Sequence, residues 1–451
     1  MKLQKFFKLA IFALALMAFG AACVKEGPPG KNGDNGTNGA TGAAGKDANE
    51  TCKMCHTPAK VDIISVQFEY SKHETGEAAL SESGSAGCSP CHTQGGFQDV
   101  VARKVPSTFT IGSNGKYAND YACDVTKAYG ELLCRTCHSS IHETYTSTDL
   151  PKLTTNAAVA LTFTGGKKTV NLTQDNGSSN LCIKCHQPRP FAFSNTKNAA
   201  YTGDVLNYAG LVAKPTDVFF DGTSAATIAQ AQIVPGYRTH THYGTVGAIV
   251  SGTCGIEFAG PMAYAQAVHV TKASCADCHM ASMVGGTGGH SFNAKGNFAG
   301  CNISGCHTGV DATSAKYWVN PRATVKGLLE QLAAKLKLNG VEFMNRNTDA
   351  TTNLWAGITT NNYDGYMNVY DPATNPTGTA MNPAQFQNAS PAGSWTPEQK
   401  AYNLTLPVLK MTNAQFGAMI NFQLCLREYS LGIHNLDYTK ALLTNSLAII
   451  P

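Results

Sequence analysis

The sequence has few charged residues and lacks an apolar run of membrane-spanning length. Asp, Glu, Lys and Arg make up 14% of the 451 residues, which is low for a soluble protein. No run of basic residues of the kind that binds nucleic acid occurs. The apolar run at residues 9–19 is too short to cross a membrane as a helix. These absences argue against a nucleic-acid-binding protein and against a membrane span in that run.

The first 22 residues have the pattern of a secretory signal. Three lysines precede the apolar run, and Gly20-Ala21-Ala22-Cys23 follows it. We expect residues 1–22 to be removed and Cys23 to carry a lipid, which anchors an exported protein at the outer membrane or cell surface, or facing the periplasm. Cleavage near Ala22 without lipidation is the alternative, because Gly20 stands where leucine is usual.

A glycine occupies every third position from Gly27 to Gly45, in a collagen-like register. A triple helix needs many proline-rich triplets, and this stretch contains only Pro28 and Pro29. We therefore predict that residues 23–50 are a lipid anchor followed by a flexible linker, which spans roughly 25–30 Å by random-coil statistics.

A pattern of two cysteines followed directly by histidine recurs from residue 52 to residue 307. Five copies have the form Cys-x-x-Cys-His, and a sixth has four residues between its cysteines. With 16 Cys and 13 His in the chain, roughly 0.02 copies of the five-residue form are expected by chance. In chain order, motifs 1 to 6 are Cys52/Cys55/His56, Cys88/Cys91/His92, Cys134/Cys137/His138, Cys182/Cys185/His186, Cys275/Cys278/His279 and Cys301/Cys306/His307.

Covalent haem attachment explains this pattern. Two thiols at this spacing can each bond to one vinyl group of a haem, and the next histidine can ligate the iron. Zinc is the alternative, but zinc knuckles and ribbons do not need a histidine after every second cysteine. We expect six covalently bound haem c groups, held by the twelve motif cysteines, with the six motif histidines as proximal iron ligands.

Seven histidines remain as candidates for the opposite, distal position on each iron: His73, His142, His240, His242, His269, His290 and His434. His240 and His242 are too close in sequence to serve two neighbouring irons easily, so we expect one of them as a ligand: His242, with His240 as its substitute. Six distal histidines then match six haems. An iron with two imidazole ligands has no vacancy for a substrate and transfers electrons, so we expect no catalytic residue. Methionines such as Met280 are alternative ligands that would raise a haem's potential.

Cys123, Cys254 and Cys425 lie outside the motifs. In an exported protein two of them could form a disulfide and leave the third free, and the sequence does not choose the pair.

The predicted fold is mainly α-helical with long irregular loops and a β-hairpin, a multihaem cytochrome c architecture. Residues 51–312 form the hexahaem-binding region, with short helices at the motifs and a hairpin of residues 160–164 and 169–173 around Gly165-Gly166. Residues 313–451 contain strong helical signals and contribute His434 to the same globular unit. These signals are an apolar face at residues 325–336, a capping box at residues 396–399, and helices from about residue 413 to 429 and up to about 447.

Several stretches resemble multihaem cytochromes c related to the ammonia-forming nitrite reductase and the octahaem hydroxylamine-oxidising enzymes. These are Cys275-Ala-Asp-Cys278-His279-Met, Gly-Gly-His290-Ser-Phe, and Gly-Ile-His434-Asn with Tyr438 and a helix after it. The resemblance implies that His269, His290 and His434 are distal ligands and that the C-terminal helices pack on a haem array. The Cys-x-x-Cys-Lys motif of the reductase is missing, Leu436 stands where proline is expected, and an octahaem enzyme needs two more motifs. The catalysis therefore does not carry over.

Together these features predict an exported, lipid-anchored hexahaem cytochrome that passes electrons from a quinol-linked or periplasmic donor to a redox partner protein or an extracellular acceptor. One alternative is a reductase of a small oxyanion such as nitrite, if one haem lacks its distal ligand. The other is a subunit of a polymeric cytochrome filament, in which a histidine of one subunit ligates a haem of the next.

Overall fold

The computed structural model describes eight segments of the chain: residues 58–76, 84–111, 117–139, 152–189, 208–222, 234–346, 363–375 and 384–451. The predicted signal, lipid anchor and linker (1–50), motif 1 and His142 lie outside these segments. Residues 51–451 form one compact unit, in which residues before and after position 312 share a hydrophobic core.

The helices are short in the first half of the chain and longer in the second half. They are α1 Pro58–Glu69, α2 Lys72–Thr75, α3 Ser89–His92, α4 Gln94–Ala102, α5 Cys134–Cys137, α6 Ser178–Cys185, α7 Tyr208–Ala213, α8 Val246–Ser251, α9 His269–Lys272, α10 Cys275–His279, α11 Asn320–Lys335, α12 Pro397–Asn403, α13 Asn413–Arg427 and α14 Leu436–Ile449.

The strands of the described segments are two to five residues long and form two-stranded antiparallel pairs. They are β1 Phe109–Ile111 with β2 Tyr117–Asn119, β3 Val159–Ala160 with β4 Thr169–Val170, β5 Val218–Phe220 with β10 Met411–Thr412, β6 Lys337–Leu338 with β7 Val341–Glu342, and β8 Met344–Arg346 with β9 Tyr363–Met367.

The main core is centred on α13, which packs against α11 and α14. α13 is buried on all sides apart from Gln415, whereas α11 buries one stripe that includes Val325, Leu329 and Leu332. Each large apolar side chain removed from water contributes about 1.5–3 kcal/mol. A helix buried all round needs partners for its polar side chains, and the backbone of neighbouring loops supplies several of them.

Two polar residues of α13 bind such loops directly. The Asn421 side chain accepts from the backbone N–H of Ile256 at 2.8 Å and donates to its carbonyl at 2.8 Å. The Gln423 amide donates to the carbonyls of Thr239 and Gly365, each at 2.9 Å. The loop before His240 is therefore fixed to the most buried helix of the protein.

The predicted C-terminal helices are present close to their expected limits. Thr396 caps α12 in a capping box with Gln399, as its sequence indicates. Asn339 and Gly340 both have positive φ and form the tight turn between β6 and β7, directly after α11.

The hairpin is shorter than its alternating sequence predicts. Val159 and Ala160 pair with Val170 and Thr169, but residues 162–164 form a 3-10 turn and do not extend the strand. The Thr162 side chain and backbone both bond to the Gln187 side chain, which ties this turn to the residue after motif 4.

In the described segments, no helix has both the length and the apolar character needed to cross a membrane.

Candidate haem-binding sites

Four of the five described motifs lie on short helices. Motif 2 is on α3, motif 3 on α5, motif 4 at the end of α6 and motif 5 on α10. In one helical turn the two cysteines of Cys-x-x-Cys stand three residues apart on the same face, which is the arrangement that two bonds to one flat ligand require. Motif 6, with its longer spacer, lies in consecutive turns.

The sequence around motif 5 shows why the helix forms there. Ser274 is its N-cap, and its hydroxyl accepts from the backbone N–H of Asp277 while the Asp277 carboxylate accepts from the backbone N–H of Ser274. This reciprocal capping box stabilises a single turn that would otherwise be too short to persist.

The structure brings four proximal histidines close to a second histidine that the sequence analysis named as distal. The distances between the ring centres are 6.0 Å for His186 and His73, 6.3 Å for His92 and His242, 6.2 Å for His279 and His434, and 6.1 Å for His307 and His269.

These distances suit a metal ion between two imidazoles. With a metal–nitrogen bond of about 2 Å on each side and each ring centre about 1 Å behind its nitrogen, the ring centres lie about 6 Å apart. The described segments contain no cluster of three or more His, Cys, Asp and Glu side chains suited to a metal ion. A haem iron needs only two protein ligands, because the porphyrin supplies the other four. The paired imidazoles therefore fit the two axial positions of a haem iron.

His279, His269 and His434 each form a hydrogen bond through Nδ1, which leaves Nε2 available to a metal. Nδ1 of His279 lies 2.8 Å from the carbonyl oxygen of Phe292, and Nδ1 of His269 lies 2.8 Å from that of Ile433. A carbonyl only accepts, so Nδ1 carries the proton and Nε2 keeps its lone pair. This outer hydrogen bond fixes both the tautomer and the orientation of a metal-binding imidazole.

His434 has a charged partner in place of a carbonyl. Its Nδ1 lies 2.5 Å from the carboxylate of Glu428, whose side chain is fully buried. Burial by itself raises the pKa of Glu428, but hydrogen bonds from His434, Ser430 and the Gly432 backbone outweigh it and lower this pKa. Burial likewise opposes protonation of His434, and Glu428 reverses that effect and raises the pKa of His434.

Hydrogen bonding distinguishes His240 from His242. The two rings lie 6.2 Å apart, so distance alone does not decide which one is a ligand. Nδ1 of His240 accepts from Arg427 at 2.6 Å and from the backbone N–H of His242 at 2.9 Å. Burial and the Arg427 charge lower the pKa of His240 to about 2, so the ring is neutral and its proton is on Nε2. His240 therefore has no Nε2 lone pair to offer a metal in this arrangement.

The structure places the remaining described candidates, His138 and His290, less closely together than the four pairs above. His290 lies near enough to His138 for its pKa to be lowered by that ring, although burial is the larger cause. Cys23, Cys52, Cys55, His56 and His142 fall outside the described segments, so their sites stay predictions.

The motifs lie next to one another. The side chain of Cys91 in motif 2 contacts Cys185 in motif 4, and Cys182 in motif 4 contacts Cys275 in motif 5. Cys137 of motif 3 lies near both cysteines of motif 4. Cys301 and Cys306 of motif 6 lie near Cys278 of motif 5. The motifs thus follow the order 2, 4, 5, 6, with motif 3 beside motif 4.

Solvent exposure does not fall towards the centre of this series. Cys182 and His186 of motif 4 are exposed, as is Cys306 of motif 6. Desolvation by the surrounding protein is nevertheless the largest cause that lowers the pKa of His186, to about 3, with neighbouring histidines adding to it. The three cysteines outside the motifs, Cys123, Cys254 and Cys425, are buried and free of disulfides.

Two residues next to the candidate ligands were not identified from the sequence. Glu428 and Arg427 end or follow α13, and both are buried. The only sequence signal was an adjacent Arg-Glu pair within an apolar helix that is otherwise almost free of charge. Buried charged residues need specific partners, so that position could have been flagged as functional.

Comparison of the chain with protein-family models, with curated proteins and with solved structures found no match.

Proposed function

We propose that this chain is an exported hexahaem c-type cytochrome that carries electrons through haems held between two histidines. The observation that carries the proposal is the pairing of four of the five described motif histidines with a second histidine at 6.0–6.3 Å. Each pair includes the histidine of a Cys-x-x-Cys-His motif or of its longer form, and each joins that histidine to one of the predicted distal candidates.

The haem supplies an iron that alternates between two oxidation states, and the chain supplies its position and surroundings. The motif cysteines fix each attachment point. The carbonyls of Phe292 and Ile433 orient His279 and His269 through Nδ1. The identity of the axial ligands and the surroundings of each haem tune its potential.

The order of the attachment sites supports transfer over a distance and not only storage at one site. Motif 4 adjoins motifs 2, 3 and 5, and motif 5 adjoins motif 6. Such a series suits a protein that accepts an electron at one surface and releases it at another. We propose a lipid anchor at Cys23, and redox partner proteins or an extracellular acceptor as partners.

The experiment that tests the proposal is a haem count on the purified, exported protein. The spectrum of the reduced pyridine adduct, compared with the protein concentration, should give six haems per chain. Carbon monoxide added to the reduced protein should leave the Soret band unchanged, because every iron is capped on both sides. A ratio near zero contradicts the proposal, whereas six haems with a carbon monoxide shift favour the oxyanion reductase.

A further inference from the structure

The carboxylate of Glu428 is the most unusual group near the candidate ligands. Its side chain is fully buried, and its oxygen lies 2.5 Å from Nδ1 of His434. The same carboxylate accepts from the hydroxyl of Ser430 at 2.6 Å and from the backbone N–H of Gly432 at 3.0 Å. Three donors converge on one carboxylate in the seven-residue loop that leads to His434.

The corresponding partners of His279 and His269 are neutral. His279 and His269 face the backbone carbonyls of Phe292 and Ile433. Among the described residues, His434 is the one histidine that forms an ion pair with a carboxylate. The motif 5 site is thereby set apart from the motif 6 site by a full negative charge behind its distal imidazole.

We propose that Glu428 is a positioning residue that lowers the potential of the motif 5 haem below that of the motif 6 haem. This inference rests on the proposed function. The hydrogen bond gives the His434 ring anionic character, so that its Nε2 is a stronger donor to the oxidised iron. Reduction adds one electron to the site, and a buried carboxylate close by makes that addition less favourable because the low-dielectric interior screens charge weakly.

The loop that carries Glu428 and His434 connects two core helices, α13 and α14. Glu428 directly follows α13 and His434 directly precedes the N-cap of α14, so the pair closes the connection between two core helices. Asn435, the next residue, binds the carbonyl of Ile249 at 3.1 Å and the Gln266 side chain at 2.8 Å. Both ends of the loop are therefore fixed, and the imidazole is held against motif 5.

The test is a potentiometric titration of the holoprotein, followed by optical spectroscopy. Glu428→Gln preserves the shape of the side chain and removes its charge. We expect one titrating component to move to higher potential by about tenfold in its equilibrium constant, which corresponds to about 59 mV for one electron, while six haems stay attached. His434→Met, in which a thioether replaces the imidazole, identifies the component that belongs to motif 5.

Two further variants separate tuning from a purely structural role. Glu257→Gln is the matched control, since Glu257 also accepts a hydrogen bond, from the Tyr438 hydroxyl at 2.9 Å, but contacts no candidate ligand; it should move no component. Ser430→Ala removes a donor from the Glu428 carboxylate and leaves more of its charge on His434, so the same component should move to lower potential. This variant also provides the test if Glu428→Gln fails to fold.

The outcomes distinguish this inference from the proposed function. A protein with six haems, in which Glu428→Gln leaves every component in place or moves one that His434→Met does not, overturns the role of Glu428 alone. A protein without covalent haem overturns the proposed function.

Discussion

Replacing His242 should remove an iron ligand, whereas replacing His240 should lower the stability of the protein and leave the ligands in place. In the structure His242 faces His92 of motif 2 at 6.3 Å between ring centres, whereas Nδ1 of His240 is occupied by Arg427. His242→Ala should leave the motif 2 iron without its distal ligand. His240→Ala should leave all ligands in place.

The expected magnitudes follow from the contacts. In reduced His242→Ala, about one carbon monoxide should bind per chain, because one iron becomes five-coordinate. In His240→Ala, the fully buried Arg427 loses the shorter of its two Nη1 hydrogen bonds, the one of 2.6 Å to the imidazole, and keeps the one of 3.3 Å to the carbonyl of His242. Hydrogen bonds to charged groups are worth about 1.5–3 kcal/mol, so the free energy of unfolding should fall by about that amount.

The assays are carbon monoxide titration at the Soret band and thermal unfolding followed by circular dichroism, both on the haem-loaded protein. The wild-type protein serves as the reference with no carbon monoxide binding. If His240→Ala binds carbon monoxide and His242→Ala does not, the assignment of the two histidines from their hydrogen bonds is refuted.

Three other changes test the fold and the proposed anchor. Asn421→Ala leaves the buried backbone N–H of Ile256 without its acceptor, whereas the Ile256 carbonyl keeps the N–H of Phe258 as a donor. One unsatisfied buried group should lower the free energy of unfolding by about 1–3 kcal/mol in chemical denaturation, while Asn156→Ala on the exposed surface should stay within about 0.5 kcal/mol. Thr396→Ala removes the cap of α12 and should cost about 1 kcal/mol, and an unchanged thermal midpoint would argue against the capping box. Cys23→Ala should move the exported protein from the membrane fraction to the soluble fraction, and mass spectrometry of the wild-type N-terminus should find a lipidated cysteine.

Two buried charged residues at the end of α13, Arg427 and Glu428, connect the core to the candidate sites. Arg427 contacts the carbonyl of Asp364 at 2.7 Å and lies over the rings of Tyr243 and Tyr366 at 4.4 and 4.6 Å. Glu428, the next residue, holds His434. Two neighbouring residues thus contact the surroundings of the motif 2 and motif 5 sites, one through His240 and the other through the candidate distal ligand His434.

The six Cys/Cys/His motifs and the further histidines could be named from the sequence as candidate attachment sites and candidate ligands, because covalent haem attachment depends on cysteine spacing within one turn. Their roles stay predictions. The C-terminal helices were equally predictable, since apolar periodicity and capping residues are local signals. Thr396 and the Asn339-Gly340 turn have their expected roles because both depend only on nearby backbone geometry.

Only the tertiary structure decided which histidines lie opposite each other. His279 and His434 are 155 positions apart in sequence yet 6.2 Å apart in space, and no local pattern contains that relation. The choice between His240 and His242 depends on the guanidinium of Arg427 at the end of α13. The charge next to His434 depends on the carboxylate of Glu428, and the sequence does not show that this carboxylate is buried. Short sequence motifs indicate the local chemistry. The packing of distant segments decides which histidines lie opposite each other and which charged groups lie next to them.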